Sequence, residues 1–326
     1  MTNDPYNPIG RLRPWLAVLC ALLIGAPVFA AEPFQSSNRL QELVDQSVAS
    51  TLAKFASRNL RSNQLAVTLI DLHRTNQPIR ASYRGDVPIY PASVIKLFYL
   101  AAAHRWMEDG KLTDSAELRR AMKDMIVESY NEATHYVVDV LTGTTSGPEL
   151  PDDELDVWFE KRNAVNRYFA GLGYTNVVAN KKPWCEGPYG RESQSIKRQK
   201  PSRNMLSTDD TARLLVEIAN GQCVTEKRSG DMLNLLKRDP YKRLEDGGEP
   251  DQGNAFTGLA LRERPGAKLW SKAGWTSQVR HDAALVELPD GTRFVLVTFT
   301  EGHSSERGII EAIGRAVVAG LTTVRE

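Results

Sequence analysis

The stretch YPASVIKLFYLAAA, residues 90–103, decides how this chain reads. From Val94 onward almost every residue is apolar, the mark of a helix buried on all sides. Lys96 breaks the run. It stands three residues after Ser93, so on a helix the amine and the hydroxyl share one face. A serine hydroxyl is a weak nucleophile until a base takes its proton. An apolar setting disfavours the charged form of lysine and fits it for that work. The helix start adds a positive field at Ser93, which favours a developing oxyanion. A capping serine beside a snorkelling lysine is the plainer alternative. Ser-x-x-Lys alone is a weak signal.

Two further stretches strengthen it. Ser129-Tyr130-Asn131 falls in a gap between two helical patterns, where Asn131 also suits a helix cap. Trp270-Ser271-Lys272-Ala273-Gly274-Trp275 reads as a strand ahead of a hairpin, where a lysine is often only edge protection. All three together, in this order and in these helix, interhelix and strand settings, are far less frequent by accident than any one of them.

Working outward, apolar periodicity predicts helices over Leu40–Phe55, Val94–Met107, Ala116–Val127, Glu132–Leu141, Leu155–Leu172, Ala212–Ile218 and Ser305–Leu321. Gly143 closes the fourth, and Ser207-Thr208-Asp209-Asp210 caps the sixth. Strands are expected at Leu65–Leu72, Ile79–Tyr83, Lys268–Trp275, Asp282–Leu288 and Thr292–Thr300. Tyr174–Asn204 has no periodicity. Strands at both ends and helices between them imply an α/β (α+β) fold. An antiparallel sheet, about 38–90 and 256–326, is flanked by the N- and C-terminal helices. An all-helical lobe, about 91–255, is inserted in it, and the active site lies in the cleft between lobes.

Three motifs in this order resemble the serine β-lactamases of class A and the related penicillin-binding proteins, whose pattern is S-x-x-K, S-D-N and K-T-G. Between the motifs, Asn131-Glu132-Ala133-Thr134 through Leu141 is similar to the family's helix after S-D-N. Tyr168–Gly173 is similar to the helix end before its omega loop. Lys272–Thr276 followed by His281–Ala284 resembles a divergent serine-hydrolase branch. The resemblance covers roughly Leu40 to Leu321. It implies that Ser93 is acylated, with Lys96 as its base or proton relay. Ser129 passes a proton to the leaving nitrogen, and Asn131 binds the substrate's amide side. Lys272 supplies charge for a substrate carboxylate. The oxyanion hole is made by the N–H groups of Ser93 and Trp275, the residue after Gly274. Arg280 is a second carboxylate partner, or else a solvated hairpin arginine.

The departures are definite. Tyr130 stands where the family has Asp. Ala273 stands where it has a hydroxyl residue that holds a β-lactam carboxylate. The family's omega-loop glutamate, which activates the deacylating water, matches Glu186 counted from Gly173 and Glu192 counted back from Ser207. Glu186 is slightly favoured, and both stay open.

Composition bounds the rest. The 326 residues suffice for one large domain or two joined lobes, and a net charge of +1 gives no electrostatic footprint for nucleic acid. Arg11 and Arg13 precede the apolar run Trp15–Ile24, and Val28-Phe29-Ala30 follows. Residues 1–31 therefore read as a secretory signal, with the mature chain in the periplasm or secreted and not anchored in the membrane. Cys185 and Cys223 then remain, paired or free. The histidines show no ligand spacing, so no metal or other cofactor is expected. His281-Asp282 reads as structural, Lys197–Lys200 as a solvated charge run and Glu245–Asp251 as an acidic surface loop.

These readings predict an exported, monomeric acyl-serine hydrolase acting on a small molecule, a β-lactam or related amide. The alternatives are a D,D-peptidase-like or esterase-like enzyme with poor β-lactam turnover, working on cell-wall-like peptide or ester, and a catalytically idle binding protein.

Overall fold

A computed structural model describes residues 34–73, 77–184, 186–242 and 251–322. The leader, Cys185 and most of the acidic loop lie outside the described residues. Seven strands form one sheet: β1 (Gln35–Ser36), β2 (Leu65–Asp71), β3 (Ile79–Tyr83), β4 (Lys237–Arg238), β5 (Lys268–Trp275), β6 (Val279–Glu287) and β7 (Arg293–Glu301). Their order is β1-β3-β2-β7-β6-β5-β4. All neighbours are antiparallel except β1 and β3.

The two-residue period of a strand divides the core. Leu65, Val67 and Leu69 of β2 pack on one face with the first and last helices, α1 (Asn38–Lys54) and α11 (Gly308–Thr322). Ala66 and Ile70 point the other way, into the helical lobe. Both faces are covered, so β2, β6 and β7 are buried almost without a break rather than at every second residue.

At the centre of the lobe lies α2 (Lys96–Glu108), buried without a break from Lys96 to His104. Around it stand α3 (Ala116–Lys123), α4 (Asn131–Thr142), α6 (Ala164–Gly171) and α9 (Glu226–Leu236), while α8 (Thr208–Ala219) covers the sheet. Phe98 meets Phe169 edge-on at 4.8 Å, tying α2 to α6. Serine caps open three helices, with Ser37, Ser115 and Ser207 accepting from backbone N–H groups.

Three expectations change. The helix expected over 155–172 is two, α5 (Asp152–Arg162) and α6, broken at Asn163. At the break the Asn163 carboxamide oxygen accepts from the side chains of Asn166 and Asn180. The aperiodic segment contains α7 (Gly190–Arg198), whose buried residues are Glu192 and Ser195. A helix with a polar inner face leaves no apolar period to read. Helix α9 was not anticipated, although Thr225 caps it and Met232 and Leu236 face inward. Cys223 is a free, buried thiol, its pKa pushed up to about 12 by burial. Among the described residues, no helix is long and apolar enough to cross a membrane.

Candidate active site

Ser93 lies in a 3₁₀ turn, Ala92–Ile95, that runs directly into α2. Three residues per turn put Ser93 and Lys96 on one face. The turn is entered through Pro91 and through Ala92 at φ +46°, a left-handed conformation costly for a residue with a side chain. The surroundings hold it there. His281 accepts from the Thr300 N–H through Nδ1 (3.0 Å), so its Nε2 carries the proton and donates to the Tyr90 carbonyl (2.9 Å). Burial lowers the His281 pKa to about 4, which keeps the ring neutral. Its role is structural, as the sequence suggested.

Strand β5 approaches the same turn from the other side. A methyl group on Gly274 would sit 2.6 Å from the Pro91 carbonyl oxygen and 2.8 Å from the Ser93 nitrogen. Only glycine allows this contact. It brings together the two segments carrying the expected oxyanion donors, the N–H groups of Ser93 and Trp275.

The second serine arrives on a different device. After α3 the chain makes a π turn, Asp124–Glu128, with Ser129 left-handed at its end (φ 60°, ψ 30°). π turns are short and are frequent at functional sites. Two buried amines meet on Ser129. Lys96 Nζ donates to its carbonyl (2.6 Å), to its Oγ (3.3 Å) and to Asn131 Oδ1 (2.9 Å). Lys272 Nζ donates to the same Oγ at 2.9 Å. Ser129, Asn131, Lys96 and Lys272 therefore form one polar cluster. The Lys272 pKa lies well below the ordinary lysine value, first because of burial and next because of the Lys96 charge. Tyr130 points to solvent and is 55% exposed, so it does not take the buried place an aspartate would have between Ser129 and Asn131.

One member of the cluster has no sequence signature. Gln252 accepts through Oε1 from Lys272 Nζ (2.7 Å) and from the Ala273 N–H (3.0 Å). Its Nε2 donates to the carbonyls of Ile126 and Val127. It ties the π turn to the β5 edge, which the two-residue β4 leaves mostly uncovered. A single glutamine beside an acidic, glycine-rich loop gives no motif to find.

Arg280 lies on β6, paired in register with Trp275. It is 7% exposed, donates to the Ala255 carbonyl (2.8 Å) and lies over the Phe256 ring at 4.1 Å. It is therefore not the solvated hairpin arginine, and its guanidinium packs beside β5. Among the described residues, no group of His, Cys, Asp or Glu is arranged to hold a metal ion.

A family model for the beta-lactamase enzyme family matches residues 113–321, well over half of the sequence. The chain belongs to the beta-lactamase enzyme family. The match begins beyond Ser93 and Lys96, so these two rest on their motif and their placement. A search of the curated proteins finds no match. Among solved structures, the chain is similar to a beta-lactamase of Sphaerobacter thermophilus (20% identity, TM-score 0.60, covering 86% of this chain and 98% of that one). It is also similar to a PBP-A variant solved as its acyl-enzyme complex with penicillin G (18%, 0.63, 90% and 100%). A third is a class A representative from Bacteroides cellulosilyticus (14%, 0.60, 87% and 98%). At such identities the likeness shows the fold.

In this beta-lactamase-family chain neither candidate glutamate is brought to the polar cluster. Glu186 is exposed, and the cleft wall includes its neighbours Trp184 and Gly187 but not Glu186 itself. Glu192 is 1% exposed and held by Arg162 through both carboxylate oxygens (2.9 and 3.2 Å), with Ser146 at 3.0 Å. Lys182 stands 3.4 Å from it and 2.7 Å from Asp139. Two cations and two anions thus neutralise one another behind the cleft.

Proposed function

We propose that the protein is an exported acyl-serine enzyme that opens an amide or ester at Ser93 and releases the acyl group slowly when the substrate is a β-lactam. The observation that carries this is the convergence of Lys96 and Lys272 on Ser129 Oγ at 3.3 and 2.9 Å. Burial first, and the Lys96 charge next, push the Lys272 pKa well below the ordinary lysine value, which suits this pair of amines to passing a proton. In acylation the Ser93 oxygen bonds to the carbonyl carbon and its proton passes to the Lys96 amine. The carbon–nitrogen bond breaks, and the nitrogen takes a proton from Ser129, which the lysine pair replaces. Water then cleaves the ester and restores Ser93.

The placement of the glutamates supports slow release. A general base must reach the attacking water; Glu192 is bound on both oxygens to Arg162 and Glu186 is exposed. One of the similar structures, a mutant of PBP-A, is itself an acyl-enzyme complex with penicillin G. Export rests on the leader in residues 1–31.

Intact mass of the mature protein mixed with penicillin G tests this. A stable adduct, absent in Ser93→Ala and unaltered in lifetime by Glu186→Gln, is expected. An adduct that turns over within seconds, and persists only in Glu186→Gln, would show a working deacylation base at Glu186 and sink the slow-release reading. Absence of any adduct, with thioesters or esters as well, would leave the idle binding protein.

A further inference from the structure

Beside the Ser93 turn lies a cavity of about 640 Å³, bounded by Tyr90 and Ala92, by residues 181–184, 187 and 188, and by Thr276–Gln278. Lys96, Ser129 and Lys272 do not line it. Among the described residues, its wall carries three cations, Lys181, Lys182 and Arg203, and no carboxylate. Of these, Lys182 is neutralised by Asp139. The other two are not. Lys181 is 4% exposed, yet its Nζ donates to the neutral Gln199 oxygen (2.6 Å), and no described carboxylate pairs with it. Arg203 lies over the Tyr90 ring at 5.0 Å and likewise has no ion pair among the described residues.

Arg203 is exposed, but Lys181 is buried, and a buried charge without an ion-pair partner is costly and is uncommon outside functional sites. The Asp139–Arg162–Lys182–Glu192 cluster shows that this lobe can neutralise a buried cation where it needs to. Burial first, and the Arg162 charge next, lower the Lys181 pKa to about 8, against the opposing pull of the Glu192 charge. We infer that the cavity is an anion subsite, in which Lys181 and Arg203 receive a carboxylate carried on the acyl portion of the substrate, the part that stays on Ser93. The inference rests on the acyl-serine reading for the word acyl; the anion site itself does not depend on it. Arginine offers a carboxylate two parallel donors, and lysine adds a point charge.

The test uses two thioesters with the same leaving thiol, whose acyl chains end in a carboxylate or in the matching carboxamide. Thiol release and the mass of acyl-Ser93 are followed for the mature protein, Arg203→Gln and Lys181→Met. The carboxylate probe is expected to be preferred by about tenfold or more, mainly through KM, with the ratio collapsing towards one in either variant. Equal rates for both probes, or a preference that survives both substitutions, overturns the anion subsite. If neither probe acylates Ser93, the acyl-serine reading is what fails. The subsite is then judged by titrating Ser93→Ala with the free carboxylate acyl chain and its carboxamide. Tighter binding of the carboxylate, lost on Arg203→Gln, sustains it; indifference between the two overturns it.

Discussion

Ser129 Oγ is the atom on which the site turns, because two lysines from distant parts of the chain donate to it and each is held by something else. Asn131 holds Lys96 and Gln252 holds Lys272. A hydrogen bond to a charged group contributes about 1.5–3 kcal/mol, and its buried partner is costly to leave unpaired. Gln252→Leu is therefore expected to slow acylation of Ser93 by about tenfold to a hundredfold, as that energy translates into rate. Thermal denaturation should show a loss of about 1–3 kcal/mol in the same variant. A full acylation rate in a destabilised protein would mean that Gln252 only packs. Ser93, Lys96 and Lys272 were legible from their motifs, since each has a chemical reason to stand out in an apolar or edge setting. Gln252 was not, because its meaning comes from a contact with Lys272, twenty residues away.

At the scale of elements, the π turn at Asp124–Glu128 sets the direction of Ser129. A π turn holds one residue more than an α turn. Inserting an alanine after Val127 adds one more residue to the turn and should rotate Ser129 by about 100° around the axis, since a helix turns once per 3.6 residues. The expected outcome is near-native circular dichroism with no acyl-enzyme by mass. An insertion variant that still acylates would show that Ser129 is dispensable or that the turn re-forms. The strand pattern was read well because the hairpins are local. Helix α7 was missed because its buried side carries Ser195 and Glu192, and the partners of Glu192, Ser146 and Arg162, lie in other segments. The omega-segment glutamates illustrate the same limit. Spacing could bring either into register with the family, whereas only packing reveals that one faces water and the other faces Arg162.

For the whole molecule, two buried neutral imidazoles set the acid limit. His281 under the Ser93 turn and His104 on α2 both have pKa values lowered to about 4, chiefly by burial, against an ordinary 6.5. Neither His104 ring nitrogen has a hydrogen-bond partner among the described residues. The unfolded chain takes up these protons first. Their contribution to stability is complete above pH 6.5 and is lost as pH falls towards 4, by up to about 3 kcal/mol for each group. Urea denaturation from pH 7.5 to 4 should show this slope, and His104→Gln should flatten about half of it. A pH-independent midpoint above pH 5 would mean that the imidazoles are not buried neutral groups.

By itself the sequence determined what local physics can carry. The periodicity of Leu40–Phe55 and of β2, β3, β5, β6 and β7, the lysine inside an apolar helix and the order of three motifs were enough for the fold and for picking out Lys96, Ser129, Asn131 and Lys272, which the structure brings together. What only the tertiary structure decided is where charges find their partners. Arg280 was spent on Ala255 and Phe256, Glu192 on Arg162, and Lys181 was left without a carboxylate. Periodicity follows from each residue's own preference for water or core. Pairing of charges depends on distances between segments far apart in the chain, and no spacing along the chain specifies those.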